Sequence, residues 1–249
     1  MKVVVIGGTG LIGSKVVENL NAHGHEAKAA SLQTGVNTIT GEGLDQALAD
    51  AQVVVDVSNS PSFEAEAVMN FFTTATTNLA AAARSAGVQH LVALSVVGAD
   101  RLPHSDYLRA KVAQEGLIAD SGLPYTIVRA TQFYEFLHGI ADSATADGEV
   151  RLPSAYFQPM PADDVADAVC RASTGDPANG IVEVGGPAPV RMSDFVASGL
   201  ARVGDPRKVI ADEHAPYFGT EITDESLVPG PDAVLSTRTY DEWFAANGS

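Results

Sequence analysis

A serine, a tyrosine and a lysine in the middle of the chain have types and a spacing that could support proton transfer. Ser95 ends an apolar stretch, and Tyr107 and Lys111 follow it four residues apart. Positions i and i+4 share one face of a helix, so we expect both side chains to point into a cleft beside Ser95. A nearby ammonium lowers the pKa of a phenol, which makes Tyr107 a candidate proton donor, and Lys111 could also bond the nicotinamide ribose of a cofactor. Ser95 is a candidate ligand for the substrate oxygen. The alternative is an ordinary exposed pair on a helix.

A glycine-rich stretch near the start of the chain is typical of a turn that binds phosphate. It lies between a β-branched run and a helical pattern. The glycines allow a tight turn, close approach of the backbone to a pyrophosphate and close helix–strand packing, and the free N–H groups of the helix then face the phosphates. The alternative is a purely structural turn. The residues predicted to bind a dinucleotide are Gly7, Thr9, Gly10, Leu11, Ile12 and Gly13.

The segment after the second predicted strand indicates which dinucleotide binds. An acidic residue about 20 positions further on usually holds the ribose 2′-hydroxyl of NAD, and residues 29–34 contain no carboxylate. Ser31 and Thr34 could donate hydrogen bonds to a 2′-phosphate, and Lys28 is the nearest cation in sequence. We therefore expect NADP in preference to NAD. The alternative is that these are turn residues and that the 2′ position faces solvent.

A polar run follows the third predicted strand and consists of Ser58, Asn59 and Ser60. Ligands of open α/β sheets bind at the carboxyl ends of the strands, so this run is a candidate wall of the cofactor groove. A turn that leads into Pro61 explains the same residues equally well.

Alternating strands and helices must position these residues. We predict strands at 3–6, 26–30, 53–57, 90–94 and 125–128, and helices from residue 11 and over 44–49, 63–86 and 106–120. Ser105 and Asp106 are typical of a helix N-cap region. The alternation predicts a Rossmann-type α/β fold, with a doubly wound parallel sheet covered on both faces.

The pattern changes after about residue 130, where prolines accumulate. Helices are predicted at 162–172, 193–203 and 240–245, with a strand at 181–184. We expect a single domain over residues 1–249, in which a smaller C-terminal substrate lobe from about residue 131 is built onto a dinucleotide-binding core. Apolar side chains that could form the wall of a substrate cleft are Tyr156, Phe157, Met160, Tyr217, Phe218 and Trp243. The alternative is that they are ordinary core residues.

Composition disfavours several classes of partner. The 249 residues include 15 basic and 31 acidic ones, for a formal net charge of −16, which disfavours nucleic acid and anionic membrane surfaces. Cys170 is the only cysteine, which fits a reducing compartment. Only a short apolar run precedes Gly7, so we expect no signal peptide and a cytoplasmic location. We predict a small-molecule substrate and no metal site, and leave monomer and homodimer open.

Several segments together resemble the short-chain dehydrogenase/reductase superfamily, and most closely its atypical, NmrA-like NAD(P)H-binding branch. They are GGTGLIG at 7–13, TTNLAAAARSAGVQHLVALS at 76–95, YLRAK at 107–111, PYTIVRATQFYEF at 124–136 and ADDVADAV at 162–169. The resemblance implies a Rossmann fold and NAD(P)(H) binding. It also implies that Ser95, Tyr107 and Lys111 form a catalytic set and that Phe133 approaches the nicotinamide. The alternative for Phe133 is an ordinary aromatic residue of the core.

Two positions depart from the family pattern. Phe72, six residues before Asn78, stands where many relatives carry an asparagine, and this argues against a four-membered proton relay. Ala130 stands where relatives commonly carry a proline after the arginine of the fifth strand. The retained tyrosine–lysine pair favours an NADP-dependent oxidoreductase that transfers hydride to a small carbonyl, a quinone or an activated double bond. The alternatives are a non-catalytic NADP(H)-binding redox sensor, and an epimerase or dehydratase that retains its cofactor.

Overall fold

A computed structural model describes residues 1–247. Its strands are β1 (Lys2–Ile6), β2 (Glu26–Ala30), β3 (Val53–Asp56), β4 (His90–Val96), β5 (Tyr125–Ala130), β6 (Thr145–Ala146), β7 (Glu149–Leu152), β8 (Tyr156–Phe157), β9 (Gly180–Gly185), β10 (Val190–Arg191), β11 (Lys208–Ala211) and β12 (Val234–Leu235). Its α-helices are α1 (Leu11–Ala22), α2 (Leu44–Leu48), α3 (Ala65–Ser85), α4 (Asp106–Ala119), α5 (Leu137–Ser143), α6 (Ala162–Thr174), α7 (Met192–Arg202) and α8 (Tyr240–Asn247).

The main sheet has seven strands in the order β12-β9-β5-β4-β3-β1-β2, and every neighbouring pair is parallel. This arrangement confirms the predicted Rossmann-type fold. The chain crosses from β1 to β2 on one side and continues with β3 on the other side of β1. A crevice therefore opens between the carboxyl ends of β1 and β3, where open α/β sheets bind their ligands.

The central strands are apolar on both faces, because both faces are covered by helices. Val3 and Val5 face one core, which also contains Val16 of α1 and Val165 of α6. Val4 and its alternate neighbours face a second core with side chains of α2, α3 and α4. The alternation of side chains along a strand thus sends successive valines into two separate cores.

The C-terminal half contains elements that sequence analysis missed. They are the seven-residue helix α5 and the short strands β6, β7, β8, β10, β11 and β12. The strands have only two to four residues each, which are too few to show a periodicity. A third core lies beneath this half, and it includes Leu102 and Leu108 from the first half together with Phe157 and Val196 from the second. The lobe is therefore packed directly onto the helix that carries Tyr107.

Within the described residues, no helix combines the length and the apolar character needed to cross a membrane.

Candidate functional site

The turn after β1 is so tight that it leaves no room for a side chain at Gly7 or Gly13. Gly7 has a φ of 77°, in the left-handed region that favours glycine. A Cβ atom at Gly13 would lie 2.2 Å from the Gly7 carbonyl oxygen, and one at Gly7 would lie 2.9 Å from the Ser58 Cα. The turn therefore brings backbone from both sides of the crevice into direct contact.

Helix α1 begins at this turn with its N–H groups uncapped. Its N-cap is Gly10, no side chain caps it, and its first turn carries no acidic residue. Thr9 and Leu11 are exposed beside it, whereas Ile12 is buried and anchors the helix to the sheet. Free N–H groups at the positive end of a helix dipole bind anions, so this turn fits a diphosphate.

The predicted 2′-phosphate ligands lie at the end of β2. The Thr34 hydroxyl accepts a hydrogen bond from the Ser31 N–H at 2.8 Å and donates one to the Ser31 carbonyl oxygen at 3.0 Å, which closes a short turn. The Ser31 hydroxyl is buried and has no partner among residues 1–247. Lys28 pairs with Glu26 at 3.0 Å. The Thr34 hydroxyl is therefore engaged within the turn, whereas the Ser31 hydroxyl is not.

The polar run after β3 is organised by a buried carboxylate. Asp56 accepts hydrogen bonds from the Ser58 N–H at 3.0 Å and from the Ser58 hydroxyl at 2.6 Å. The Ser60 hydroxyl donates to the Ser62 carbonyl oxygen at 2.7 Å, and Asn59 is exposed. Ser58 is therefore held against the glycine turn, while Asn59 faces outward.

Tyr107 lies in the first turn of α4, which Ser105 caps by accepting a hydrogen bond from the Leu108 N–H. Its ring centroid is 5.5 Å from that of Phe63 and 6.0 Å from that of Phe72. Burial among these rings raises the pKa of Tyr107 to about 12. The expectation that Lys111 lowers this pKa is wrong, because desolvation dominates and the ammonium is directed elsewhere.

Lys111 is turned towards the interior of the protein. Its side chain is buried, and Nζ donates to the Leu94 carbonyl oxygen at 2.9 Å and to the Gln114 side-chain oxygen. Nζ also lies 4.4 Å from the centroid of the Phe72 ring. Burial lowers the pKa of Lys111 to about 8, although Asp56 and Glu115 act to raise it. Phe72 therefore places an apolar ring against both Tyr107 and Lys111, at the position where many relatives carry an asparagine.

Gln114 links the lysine to the polar run after β3. Its amide nitrogen donates to Asp56 Oδ2 at 3.0 Å, while its amide oxygen accepts from Lys111. Asp56 in turn holds Ser58 beside the glycine turn. A continuous buried chain of polar groups therefore connects the lysine to the crevice.

Ser95 belongs to a second buried network. Its hydroxyl donates to Glu115 Oε1 at 2.6 Å, and Glu115 also accepts from Arg129 Nε at 2.9 Å and Nη2 at 2.7 Å. Ser95 and Arg129 are register partners on β4 and β5, so their side chains share one face. Asp100 completes the network with a 2.9 Å ion pair to Arg129. Ser95 was expected beside Tyr107, but its proton is committed to Glu115.

The segment after β5 is held by a short ladder to residues 158–160. The Met160 N–H donates to the Gln132 carbonyl oxygen at 2.9 Å, and the Tyr134 N–H donates to the Met160 carbonyl oxygen at 3.0 Å. Phe133 is half-buried against the first core and stacks on Phe136 at 5.0 Å. These backbone hydrogen bonds therefore fix the position of residues 132–134 at the carboxyl edge of the sheet.

The apolar candidates for a cleft wall separate into two groups. Phe157 and Met160 are core residues, Trp243 packs on Tyr134, and Tyr156 lies under Arg191. Tyr217 is different, because it is partly buried against the same core that Tyr107 packs on. Phe218 packs on Tyr217 with ring centroids 4.7 Å apart.

Sequence analysis missed several polar residues of this site, chiefly Asp56, Gln114, Glu115 and Gln132. Glu115 had a usable signal, since it lies four residues after Lys111 on the same helix face. The signal for Asp56 was weaker and consisted of a carboxylate at the end of an apolar strand. Gln132 had none, because its burial depends on the tertiary structure.

Comparisons with known proteins place this geometry in a family. A sequence family described as NAD(P)H-binding matches residues 7–175. The chain is 30% identical over 193 residues to the photosystem II assembly factor Ycf39 of Synechocystis, covering 69% of this chain and 58% of that protein's length. It is 29% identical over 220 residues to a (4-alkanoyl-5-oxo-2,5-dihydrofuran-3-yl)methyl phosphate reductase of Streptomyces griseus, covering 81% and 73% respectively.

A solved structure shows the same fold over nearly the whole chain. The dTDP-glucose 4,6-dehydratase DesIV of Streptomyces venezuelae, solved with NAD, has a TM-score of 0.77 and 16% identity, covering 99% of this chain and 98% of that one. The glycine turn, the parallel sheet and the sequence match agree, and the chain therefore belongs to the NAD(P)H-binding family.

Proposed function

We propose that this protein is an NADP-dependent reductase that transfers hydride to a small carbonyl, a quinone or an activated double bond, with Tyr107 as the proton donor. The observation that carries the proposal is the position of Tyr107 in the first turn of α4, which follows β4 at the carboxyl edge of the sheet that carries the glycine turn. One similar protein is named as a reductase, which supports the same class of reaction.

The protonated state of Tyr107 at neutral pH suits reduction better than alcohol oxidation. Oxidation needs a base, and a phenol with a pKa of about 12 is almost entirely protonated at neutral pH. Reduction needs an acid, and the alkoxide formed at a reduced carbonyl is a stronger base than a phenolate. Proton transfer from Tyr107 to the substrate oxygen is therefore favourable in the reductive direction.

The chain's own residues would hold and orient the cofactor. The N–H groups at the start of α1 bind its diphosphate, and Ser58 with the exposed Asn59 forms the opposite wall of the crevice. Ser31 and Thr34 lie at the end of β2, where the ribose 2′ position is expected. The bound nicotinamide supplies the hydride. Ser95 acts through Glu115 as a positioning residue that joins β4 to α4.

Substitution of Tyr107 by Phe tests the proposal. We expect kcat/KM with NADPH and a reducible quinone to fall about 100-fold or more, the usual effect of losing a general acid. The NADPH dissociation constant should stay within about 3-fold, since the phenol is outside the diphosphate turn. Tyr125→Phe is the matched control, because Tyr125 lies at the opposite end of β5. Unchanged turnover in Tyr107→Phe rules out the assigned role.

A second function, binding of NAD(P)H without catalysis, is favoured by one observation. The hydroxyl of Ser95 and the ammonium of Lys111 both bond inward, so neither is directed at Tyr107. The similarity to an assembly factor is compatible with such a role. The two functions are separated by incubation with NADPH and a panel of quinones and ketones while the nicotinamide absorbance is followed. Tight binding without oxidation across the panel favours the binding protein.

A further inference from the structure

Gln114 is a buried amide whose two ends bond to groups of opposite charge. It is 2% exposed, its amide oxygen accepts from Lys111 Nζ, and its amide nitrogen donates to Asp56 Oδ2 at 3.0 Å. An ammonium can only donate a hydrogen bond, and a carboxylate can only accept one. The amide therefore has a single allowed orientation, in which it joins the lysine to the carboxylate.

The donors of Lys111 are directed at groups of the protein. One bonds to the Leu94 carbonyl oxygen at 2.9 Å and another to Gln114, while the centroid of the Phe72 ring lies 4.4 Å from Nζ. Leu94 belongs to β4, which pairs with β3, the strand that carries Asp56. The lysine therefore binds β4 directly and reaches the carboxylate of β3 through the amide of Gln114.

Asp56 connects this link to Ser58 at the crevice. Its Oδ1 atom accepts from the Ser58 N–H at 3.0 Å and from the Ser58 hydroxyl at 2.6 Å. Ser58 lies against the glycine turn, since a Cβ atom at Gly7 would be 2.9 Å from the Ser58 Cα. Because a hydroxyl has one proton and this one is given to the carboxylate, the Ser58 oxygen can accept from a bound molecule but cannot donate to it.

We propose that Asp56 and Gln114 are positioning residues that hold the Ser58 hydroxyl as an acceptor for a hydroxyl group of the bound dinucleotide, and that Lys111 acts on the cofactor crevice through them. The opposite wall of the crevice, at the start of α1, offers N–H donors. Donors on that wall suit the diphosphate, which has only acceptors, whereas an acceptor at Ser58 suits a hydroxyl, which can donate. This inference rests on the proposed function in taking the crevice as the cofactor site.

An exchange of the amide and the carboxylate between positions 56 and 114 tests the proposal. Asp56→Asn turns an amide nitrogen towards the donors of either Gln114 or Ser58, so it should weaken NADPH binding in calorimetry by about 10-fold or more. Gln114→Glu places two carboxylates in contact and should weaken binding by a similar factor. In the double variant the introduced carboxylate accepts from Lys111 and from the introduced amide, so every donor again meets an acceptor. We expect it to bind NADPH within about 3-fold of the wild type.

Ser58→Ala tests the crevice end of these hydrogen bonds and leaves the buried residues unchanged. The Ser58 side chain is half-buried, and we expect its loss to weaken NADPH binding by about 10-fold. Because the acceptor is then missing, Asp56→Asn should cause no further loss of affinity in the Ser58→Ala background. Gln89→Glu is the control, since Gln89 is exposed and precedes β4 at the opposite edge of the sheet, and it should bind NADPH like the wild type.

Three outcomes overturn the inference. They are wild-type NADPH affinity in Ser58→Ala, a double variant that is folded by circular dichroism but does not regain affinity, and an equal loss from Asp56→Asn with and without the Ser58 hydroxyl. If a single buried variant does not fold, a folded double variant with wild-type affinity supports the inference.

Failure of the proposed function gives a different result. NADPH is then bound with the same dependence on Ser58, Asp56 and Gln114 but is not oxidised by any quinone or ketone. Conversely, NADPH oxidation that depends on Tyr107 while NADPH affinity is indifferent to Ser58 leaves the proposed function intact and removes this inference alone.

Discussion

Lys111 is a buried charge whose neighbours only partly compensate for the loss of water. It is 3% exposed, and the carboxylates of Asp56 and Glu115 favour its charged form less than burial disfavours it. The resulting pKa of about 8 lies well below the ordinary value of 10.5. Both protonation states of Lys111 are therefore populated near physiological pH, which is unusual for a lysine.

This shift predicts a pH dependence of stability. Between about pH 8 and pH 10.5 the unfolded chain keeps a proton on Lys111 that the folded chain has lost, so folding stability rises with pH in that interval. We expect the melting temperature of the wild type, relative to Lys111→Met, to increase from pH 8 to pH 10 and to stay constant between pH 6 and pH 7. Differential scanning fluorimetry of both chains over this range checks the sign. A difference that is independent of pH contradicts the shifted pKa.

At the scale of elements, helix α4 is joined to the sheet by charged groups. Glu115 of α4 bonds to Ser95 of β4 and to Arg129 of β5, which are register partners. The side chains of Glu115 and Arg129 are only 8% and 7% exposed. Because a buried ion left without its partner is costly, this contact fixes where α4, and with it Tyr107, lies against the sheet.

We predict that Glu115→Gln lowers the free energy of unfolding by about 3 kcal/mol, because Arg129 then stays buried without its bidentate partner. Urea denaturation followed by circular dichroism measures the loss. Glu149→Gln is the matched control, since its pair with Arg151 is exposed and should contribute less than about 1 kcal/mol. Equal effects in the two variants show that the buried pair does not anchor the helix.

The contact between the β1 turn and helix α1 leads to a second prediction at this scale. A methyl group at Gly13 would lie 2.2 Å from the Gly7 carbonyl oxygen and 2.6 Å from the Gly8 Cα, so the turn must open to admit it. We expect Gly13→Ala to weaken NADPH binding by at least about 10-fold in calorimetry, because the N–H groups that face the diphosphate move with the turn.

Gly116→Ala is the control for this change. A Cβ atom there meets nothing within 4 Å, and the residue lies in a helix, where alanine is favoured over glycine by about 1 kcal/mol. It should leave NADPH affinity unchanged and raise stability slightly. Wild-type affinity in Gly13→Ala is the result that contradicts a role of the turn in cofactor binding.

At the scale of the whole molecule, the two halves share a core and a polar connection. Leu227 is completely buried and pairs with Phe157, which anchors the segment before β12. Arg101, just before α4, donates to the carbonyl oxygens of Glu225 at 2.8 Å and Val228 at 2.7 Å. The loop that carries Tyr217 therefore belongs to a region tied to the start of α4 at one end.

We expect Arg101→Ala to increase hydrogen–deuterium exchange in residues 225–230 by about 10-fold or more, because those carbonyl groups lose their donor. Exchange in β1 should not change, because its side chains face two other cores and not the one that contains Leu227. Arg109→Ala is the control, because its pair with Asp106 is local and exposed. Unchanged exchange in residues 225–230 shows that Leu227 alone holds the segment.

The sequence was sufficient to predict the core strands and helices because their periodicity and glycine turns are local signals. Val3 to Ile6, the glycine turn and the helix from Leu11 were predicted correctly from such signals. The short strands β6, β7 and β11 were missed because they are too short to show a pattern and are stabilised by pairing with distant residues. The ends of predicted strands also shifted, so that β4 runs on to Val96.

The sequence by itself determined the residue types at the carboxyl edge of the sheet and their order along the chain, since a glycine turn and an i, i+4 pair are encoded locally. Only the tertiary structure decided which of these groups touch. It directs Ser95 to Glu115, turns Lys111 towards Gln114, and packs Tyr217 from a distant loop against the same core as Tyr107. Desolvation and charge pairing depend on all neighbours in space, and no local pattern carries that information.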